Sequence, residues 1–133
     1  FNMFNQNKIL GIGPKMYRKQ CSDEEYKVGT SACNTHPHNT YIQLLAETGL
    51  LGFMIFIFFV LSFVFKAVIH FKNLIFGGGH LLSDFSICIM AAIFINIWPI
   101  IPTGNFFNNW ISIVYYLPLG FYFSNLSLPQ KNI

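Results

Sequence analysis

An apolar run over residues 49–65 constrains the fold of this chain most strongly, because Ser62 is its only polar side chain. With the residues just before it, the run extends over 44–65, and about 20 apolar residues are enough for a helix to cross a bilayer. The chain is 53% hydrophobic and only 10% charged, and a soluble domain of 133 residues has too little interior for so much apolar surface. We therefore expect an all-α integral membrane protein.

Two further apolar segments predict two more membrane-spanning helices. A glycine-containing loop at 66–80 precedes the second, and a tight turn flanked by Trp98 and Trp110 precedes the third. The predicted organisation is a polar segment, three transmembrane helices and a short tail, at residues 1–43, 44–65, 83–101, 106–124 and 125–133. Because the chain opens with Phe1 and not with Met, we expect it to be the C-terminal part of a longer, polytopic protein.

The placement of basic residues predicts the orientation. Residues 1–40 hold five Lys or Arg residues, but none lies within ten residues before His38, whereas Lys66 and Lys72 lie close to the predicted spans. Basic residues next to spans mark the cytoplasmic side, so we place residues 1–43 outside and the tail inside. The net charge of +3 is small and scattered, which argues against a nucleic-acid partner.

The three cysteines fall into two groups. Cys88 lies within an apolar segment, as a small packing residue does. Cys21 and Cys33 lie twelve residues apart in the polar segment. In an oxidising compartment a disulfide between them would stabilise the loop by roughly 2–4 kcal/mol. Two free thiols on a loop are the open alternative.

Two histidines and an asparagine stand where the apolar helix is about to begin. His36 and His38 could ligate zinc, but no third ligand lies at a convincing short spacing. They could be polar residues beside a helix cap, with Thr40 and Gln43 as a capping box or an earlier start at the proline between the histidines. Asn39 could cap the helix or hold an imidazole. The third interpretation is that a histidine acts as a general base. The positive end of a helix dipole disfavours a protonated imidazole, and a general base must be neutral.

Basic residues upstream offer a second kind of site. Arg18, with Lys15 or Lys19, could bind a phosphate group, because the guanidinium fork matches phosphate oxygens. Acidic residues follow closely, so a solvated loop of mixed charge is the alternative. The residue types alone leave both interpretations open.

The order of residues from His36 to Gly52 carries a family resemblance. It runs His-Pro-His-Asn-Thr-Tyr-Ile-Gln-Leu-Leu-Ala-Glu-Thr-Gly-Leu-Leu-Gly, and it resembles the signature of the O-antigen ligase and O-antigen polymerase superfamily. The turn at residues 11–14, Gly-Ile-Gly-Pro, is similar to a short glycine motif that precedes the signature in that family. Residues 102–110 look like a later hairpin of polymerase-type members. The resemblance therefore touches the chain at three points in order.

The resemblance implies a multi-pass glycosyltransferase of the bacterial inner membrane that needs neither metal nor cofactor. Such enzymes take a glycan from an undecaprenyl diphosphate carrier at the periplasmic face, among the membrane lipids. A ligase passes it to the lipid A core, and a polymerase passes it to another repeat unit of the O-antigen or a related surface polysaccharide. Residues 1–43 would then be a periplasmic loop segment and the tail would be cytoplasmic.

The resemblance also implies roles for individual residues. His38 matches the general base that deprotonates the acceptor hydroxyl. The candidates for binding substrate or phosphate are Arg18, Lys15, Lys19, His36 and Asn39, and the structural residues are Gly49, Gly52, Cys21 and Cys33. The family's phosphate-binding arginines lie largely upstream of the glycine motif. Because the chain lacks most of the membrane spans that the resemblance implies, we expect it to be inactive on its own.

A transporter, or another non-catalytic polytopic protein whose polar loop binds a partner, is the alternative from a different class. It predicts polar or ionisable residues facing a pore within the spans. Away from their ends, the predicted spans offer only Asn96 and a few serines, which favours the enzyme.

Overall fold

The computed structural model describes residues 2–27 and 33–127, and within these ranges the chain is helical, without strands. The all-α class expected from the sequence is therefore confirmed for this part of the chain. The helices are α1 (Asn2–Gln6), α2 (Tyr17–Gln20), α3 (Thr40–Ile75), α4 (Asp84–Ile97) and α5 (Asn109–Ser127).

The apolar run lies in α3, the one helix of the described ranges that is long and apolar enough to cross a membrane. This helix has 36 residues, and its most apolar 18-residue stretch has a mean hydropathy of 2.5 and is only 6% buried. By comparison, α4 is apolar but has 14 residues. Length and composition thus permit one crossing, while the three-span organisation and its orientation stay predictions.

Several helix ends differ from the predicted ones because local caps set them. The third helix, α3, ends at Ile75 rather than at residue 65, so Lys66 and His70, expected in a loop, are helical. The glycines that follow stop it in positive-φ conformations. At the start of α5, Asn108 caps the helix, since its Oδ1 accepts from the N–H of Trp110 at 3.0 Å.

The first turn of α3 is capped by Asn39. Its side-chain Oδ1 accepts from the N–H groups of Tyr41 and Ile42 at 3.0 and 3.1 Å, which satisfies two of the free donors of a helix N-terminus. Thr40 is already helical, and the Gln43 side chain points elsewhere. The predicted capping box at Thr40 is therefore wrong, because the asparagine one residue earlier occupies that role.

The helical ladder of α3 is interrupted at Gly49, which has φ 62° and ψ −163°. Non-helical backbone inside a helix frees carbonyl groups that need other donors. The Ala46 carbonyl accepts from the N–H of Ile12 at 3.1 Å, and the Glu47 carbonyl accepts from the N–H of Gly13 at 2.9 Å. The turn at residues 11–14 thus supplies the donors that the interrupted helix lacks.

The same loop also supplies acceptors on the other side of Gly49. The N–H of Leu50 donates to the Lys8 carbonyl at 2.7 Å, and that of Leu51 donates to the Ile9 carbonyl at 3.1 Å. Residues 8–13 and the interruption of α3 therefore exchange four backbone hydrogen bonds. The continuous helix expected from the apolar run is corrected to a helix with one built-in break.

The close approach of these two backbones explains the need for two glycines. A Cβ atom on Gly11 would lie 2.5 Å from the amide N of Gly49 and from the carbonyl carbon of Glu47. A Cβ atom on Gly49 would lie 2.5 Å from the amide N of Gly11 and from the carbonyl group of Ile9. Both glycines also have φ near +65°, where other residues are strained.

The chain divides into two compact units, Phe1–Phe58 with Pro99–Ser112, and Phe59–Trp98 with Ile113–Ile133. In the first unit a small core forms around the buried Met3, Cys21 and Ala46, against which Ile12, Tyr17 and Tyr26 pack. Cys21 is bonded to Cys33, with a Cα–Cα distance of 5.1 Å that lies in the usual disulfide range. The cross-link ties residues on both sides of the segment 28–32 together.

The second unit has an aromatic and aliphatic core. Its buried side chains are Phe63, Met90, Ile93, Ile97 and Tyr122. The Lys66 ammonium donates to the Tyr122 hydroxyl at 3.1 Å and lies 5.2 Å from the centroid of the ring, so the charge has a hydrogen-bond and a cation–π partner. Side chains of α3 and α4 also line an apolar cavity of about 300 Å³.

We predict that Gly49→Ala destabilises the full-length protein by at least about 1–3 kcal/mol, because its backbone conformation favours glycine and a methyl group would contact the backbone of Ile9. Gly52→Ala should cost less, since its Cβ meets only the side chain of Thr48. Gly120→Ala is the control, because nothing lies within 4 Å of its Cβ. Thermal unfolding in detergent measures all three, and equal melting temperatures for Gly49→Ala and Gly120→Ala would contradict the account.

Candidate functional site

His38 lies in the loop just before α3, with an exposed side chain and a backbone φ of 54°. The left-handed region costs a non-glycine residue of order 1–3 kcal/mol and persists only where neighbouring structure imposes it. The neighbour is Thr103, whose N–H donates to the His38 carbonyl at 3.0 Å. The backbone of His38 is thus held while its imidazole remains open to solvent.

The second histidine is next to the first. The ring centroids of His36 and His38 lie 4.2 Å apart, with the planes tilted by 51°. A hydrogen bond of 3.0 Å joins Nδ1 of His36 to the hydroxyl of Thr35, so one of its ring nitrogens has a partner. The structure therefore brings together the two histidines that the sequence singled out.

The side chain of Asn39 is engaged at both ends. Its Oδ1 caps α3, and its Nδ2 donates to the Pro99 carbonyl at 2.8 Å. Of the two roles that the sequence left open for Asn39, the structure shows the cap. Its amide is thus a structural link between the start of α3 and the segment that begins at Pro99.

That segment, residues 99–109, packs along the first turns of α3. The hydroxyl of Thr40 donates to the hydroxyl of Thr103 at 2.9 Å. The buried side chain of Gln43 donates to Oδ1 of Asn105 at 2.8 Å and accepts from the N–H of Phe106 at 2.9 Å. This hairpin segment is therefore attached to the helix by polar contacts near its start and by the aromatic contact of Phe106 with Phe56 further along α3.

Glu47 completes a polar stripe that the sequence reasoning missed. Asn39, Gln43 and Glu47 lie four residues apart in turn, so they share one face of the helix. Glu47 is 1% exposed, and its Oε2 accepts from Nε2 of Gln43 at 2.9 Å, while its Oε1 accepts from the N–H of Tyr17 at 2.9 Å. The spacing was the available signal, because three polar residues at this interval predict a polar helix face.

The basic candidates lie in the segment that Glu47 contacts. Arg18 and Lys19 are exposed on α2, directly after Tyr17. Lys15 is exposed, has a φ of 64°, and its ammonium donates to Oδ1 of Asn109 at 3.4 Å. No hydrogen bond or ion pair joins these three basic side chains to either histidine within the described ranges. Residues 2–27 and 33–127 also contain no cluster of three His, Cys, Asp or Glu side chains suited to a metal ion.

These features define a helical protein in which an exposed histidine, held in a strained loop, precedes an interrupted apolar helix. Residues 1–57 match the family model described as O-antigen ligase. The resemblance inferred from the residues is therefore confirmed over this part of the chain, which includes Gly11, His38, Gly49 and Gly52. No curated protein and no solved structure matches the chain significantly.

The family match carries a general functional meaning. The matched residues are similar to those of O-antigen ligases, a family of glycosyltransferase-like enzymes of surface polysaccharide synthesis that use lipid-linked substrates. The family is one of membrane proteins, and the long apolar helix α3 agrees with that.

We predict that removing the cap weakens the site. Asn39→Ala should destabilise the full-length protein by about 0.5–2 kcal/mol, because two helix N–H groups lose their acceptor. Asn39→Asp keeps the cap but replaces the donor to Pro99 with a carboxylate oxygen. Since the helix dipole favours a negative charge at this end, its loss of stability should be smaller. Thermal unfolding compares the variants. If Asn39→Ala and Asn39→Asp melt together, the cap contributes nothing.

Proposed function

We propose that the chain forms the histidine-bearing part of a multi-pass glycosyltransferase of the bacterial inner membrane. The donor is a glycan on undecaprenyl diphosphate, and His38 is the general base. The observation that supports this proposal best is the exposed imidazole of His38, held at the start of α3 inside the part of the chain that matches the family. A base at this position faces water and lies beside the helix end that would enter the membrane.

In the proposed reaction, the neutral imidazole of His38 takes the proton from the acceptor hydroxyl as its oxygen attacks the anomeric carbon of the donor glycan. The bond between that carbon and the phosphate oxygen breaks, and undecaprenyl diphosphate leaves. The proton on His38 then passes to solvent, because the side chain is exposed. No redox step or covalent enzyme intermediate is required.

Basic side chains would stabilise the diphosphate as negative charge develops on it. Arg18 is the first candidate, because a guanidinium group binds two phosphate oxygens at once. Lys15 and Lys19 are the further candidates, and each is exposed and close to Arg18 in the chain. His36, with its ring beside that of His38, would orient the acceptor or the donor.

We place residues 1–43 in the periplasm. The disulfide between Cys21 and Cys33 supports this placement, since disulfides persist in oxidising compartments and are rare in the cytosol. Membrane lipids would surround the apolar surface of α3, and the three spans and cytoplasmic tail predicted from the sequence complete this organisation.

Two acceptors fit the proposal. A ligase would use the lipid A core, and a polymerase would use another repeat unit. The hairpin at residues 102–110 resembles that of polymerase-type members, and it contacts the backbone of His38 through Thr103. A strain that lacks a polymerase attaches single units, whereas one that lacks a ligase attaches none, so the banding of surface polysaccharide on gels distinguishes the two.

The central test is the loss of the base. In the full-length protein, His38→Ala should lower glycan transfer by about 10²–10⁴-fold, because the acceptor hydroxyl loses its general base. Membrane insertion should be unchanged, since the imidazole is exposed. His80→Ala is the matched control, because His80 is also exposed and belongs to the second unit. Normal surface polysaccharide from the His38→Ala strain would sink the proposal.

The placement of residues 1–43 has its own test. In spheroplasts that carry a full-length variant with Cys21 and Cys33 as its only cysteines, a membrane-impermeant maleimide should label neither residue. After treatment with an impermeant reductant it should label both, because reduction exposes two periplasmic thiols. A version with Cys21→Ser and Cys33→Ser is the blank. Labelling only after the membrane has been permeabilised would reverse the orientation.

A further inference from the structure

Glu47 is a buried carboxylate near the start of the long apolar helix α3. It is 1% exposed, and both of its hydrogen-bond donors, the N–H of Tyr17 and Nε2 of Gln43, are uncharged. Burying a carboxylate is costly unless hydrogen bonds replace the lost water. A residue that only packed against its neighbours would not need this group, so the two hydrogen bonds are the feature to be explained.

On one side, Glu47 holds the segment that carries the basic residues. Its Oε1 accepts from the N–H of Tyr17, which begins α2 and is followed at once by Arg18 and Lys19. Its backbone carbonyl accepts from the N–H of Gly13 at 2.9 Å. Glu47 therefore fixes both ends of the short turn that leads into α2.

On the other side, Glu47 is linked to the loop of His38. Its Oε2 accepts from Gln43, whose amide also contacts Asn105 and Phe106 of the hairpin. The hairpin in turn donates to the His38 carbonyl from Thr103. Hydrogen bonds thus connect the start of α2 through Glu47 and Gln43 to the hairpin, and a further hydrogen bond connects the hairpin to the backbone of His38.

We propose that Glu47 is a positioning residue, which sets the place of Arg18 relative to His38. The diphosphate at Arg18 and the acceptor hydroxyl at His38 are then held at the distance that the reaction needs. This inference rests on the proposed function, and it adds a residue that acts through others rather than on the substrate. The carboxylate is needed because it only accepts hydrogen bonds. An amide at this place presents an NH₂ group at one end, so either Tyr17 or Gln43 loses its acceptor.

The test is a double-mutant cycle in the full-length protein in native membranes. The donor is the undecaprenyl-diphosphate-linked repeat unit extracted from a strain that lacks the protein. Glu47→Gln should raise the KM for this donor by about tenfold. The pH dependence of kcat should be unchanged, because His38 itself is intact. Glu24→Gln is the matched control, since Glu24 is exposed.

The cycle separates positioning from folding. Arg18→Ala should raise the donor KM in the wild-type background and much less in the Glu47→Gln background, because a misplaced arginine has little left to lose. A merely structural role for Glu47 would lower the amount of inserted protein and leave the KM of the remainder unchanged. If Glu47→Gln does not accumulate, Gln43→Met takes its place in the cycle, since it breaks the same series of hydrogen bonds at the direct partner of Glu47.

Three results would overturn the inference: an unchanged donor KM in Glu47→Gln, a normal donor KM in Arg18→Ala, or full additivity of the two substitutions. Failure of the proposed function looks different. In that case His38→Ala retains its activity in the same assay, whatever the cycle shows. An inactive His38→Ala variant with additive effects in the cycle rejects the positioning role alone.

Discussion

The first unit depends on the exchange of backbone hydrogen bonds around Gly49. An interrupted helix in apolar surroundings is stable only if its freed carbonyl and N–H groups find partners. Residues 8–13 provide those partners on both sides of the break, through the carbonyls of Ala46 and Glu47 and the N–H groups of Leu50 and Leu51. Since the partner segment comes from upstream in the chain, the break fixes the N-terminal loop onto α3, and the loop carries Lys15 and Arg18 with it.

A second set of contacts reaches the same helix from the C-terminal direction. Residues 99–109 bind the cap residue Asn39, the side chain of Gln43 and the backbone of His38. His38 has a left-handed φ, and the hairpin holds its carbonyl through the N–H of Thr103. Two other parts of the chain therefore hold the first turns of α3, and the hairpin is the one that contacts the backbone of His38.

The sequence predicted the helical class and the apolar helix, and it singled out His38 as the candidate base, because each leaves a local signal in composition or motif. It could not predict the break at Gly49, since a glycine inside an apolar helix is compatible with an unbroken helix, and only the approach of Gly11 explains it. The sequence offered both Asn39 and Thr40 as caps but could not choose between them, for a related reason. Asn39 and Thr40 are both good caps by residue type, and the tertiary contact of Thr40 with Thr103 decides between them. The roles of Gln43 and Glu47 also depend on distant partners.

The break at Gly49 separates two parts of α3 that need different surroundings. Before it, the stripe of Asn39, Gln43 and Glu47 is satisfied entirely by other protein groups. After it, large apolar side chains such as Phe58 and Phe65 are 77% and 65% exposed. Specific protein partners bind the polar side chains of the first part, whereas the second part presents apolar side chains of the kind that a membrane-spanning helix presents to lipid. The family match over residues 1–57 follows this division, since it covers the helix start and the break but ends within the apolar run.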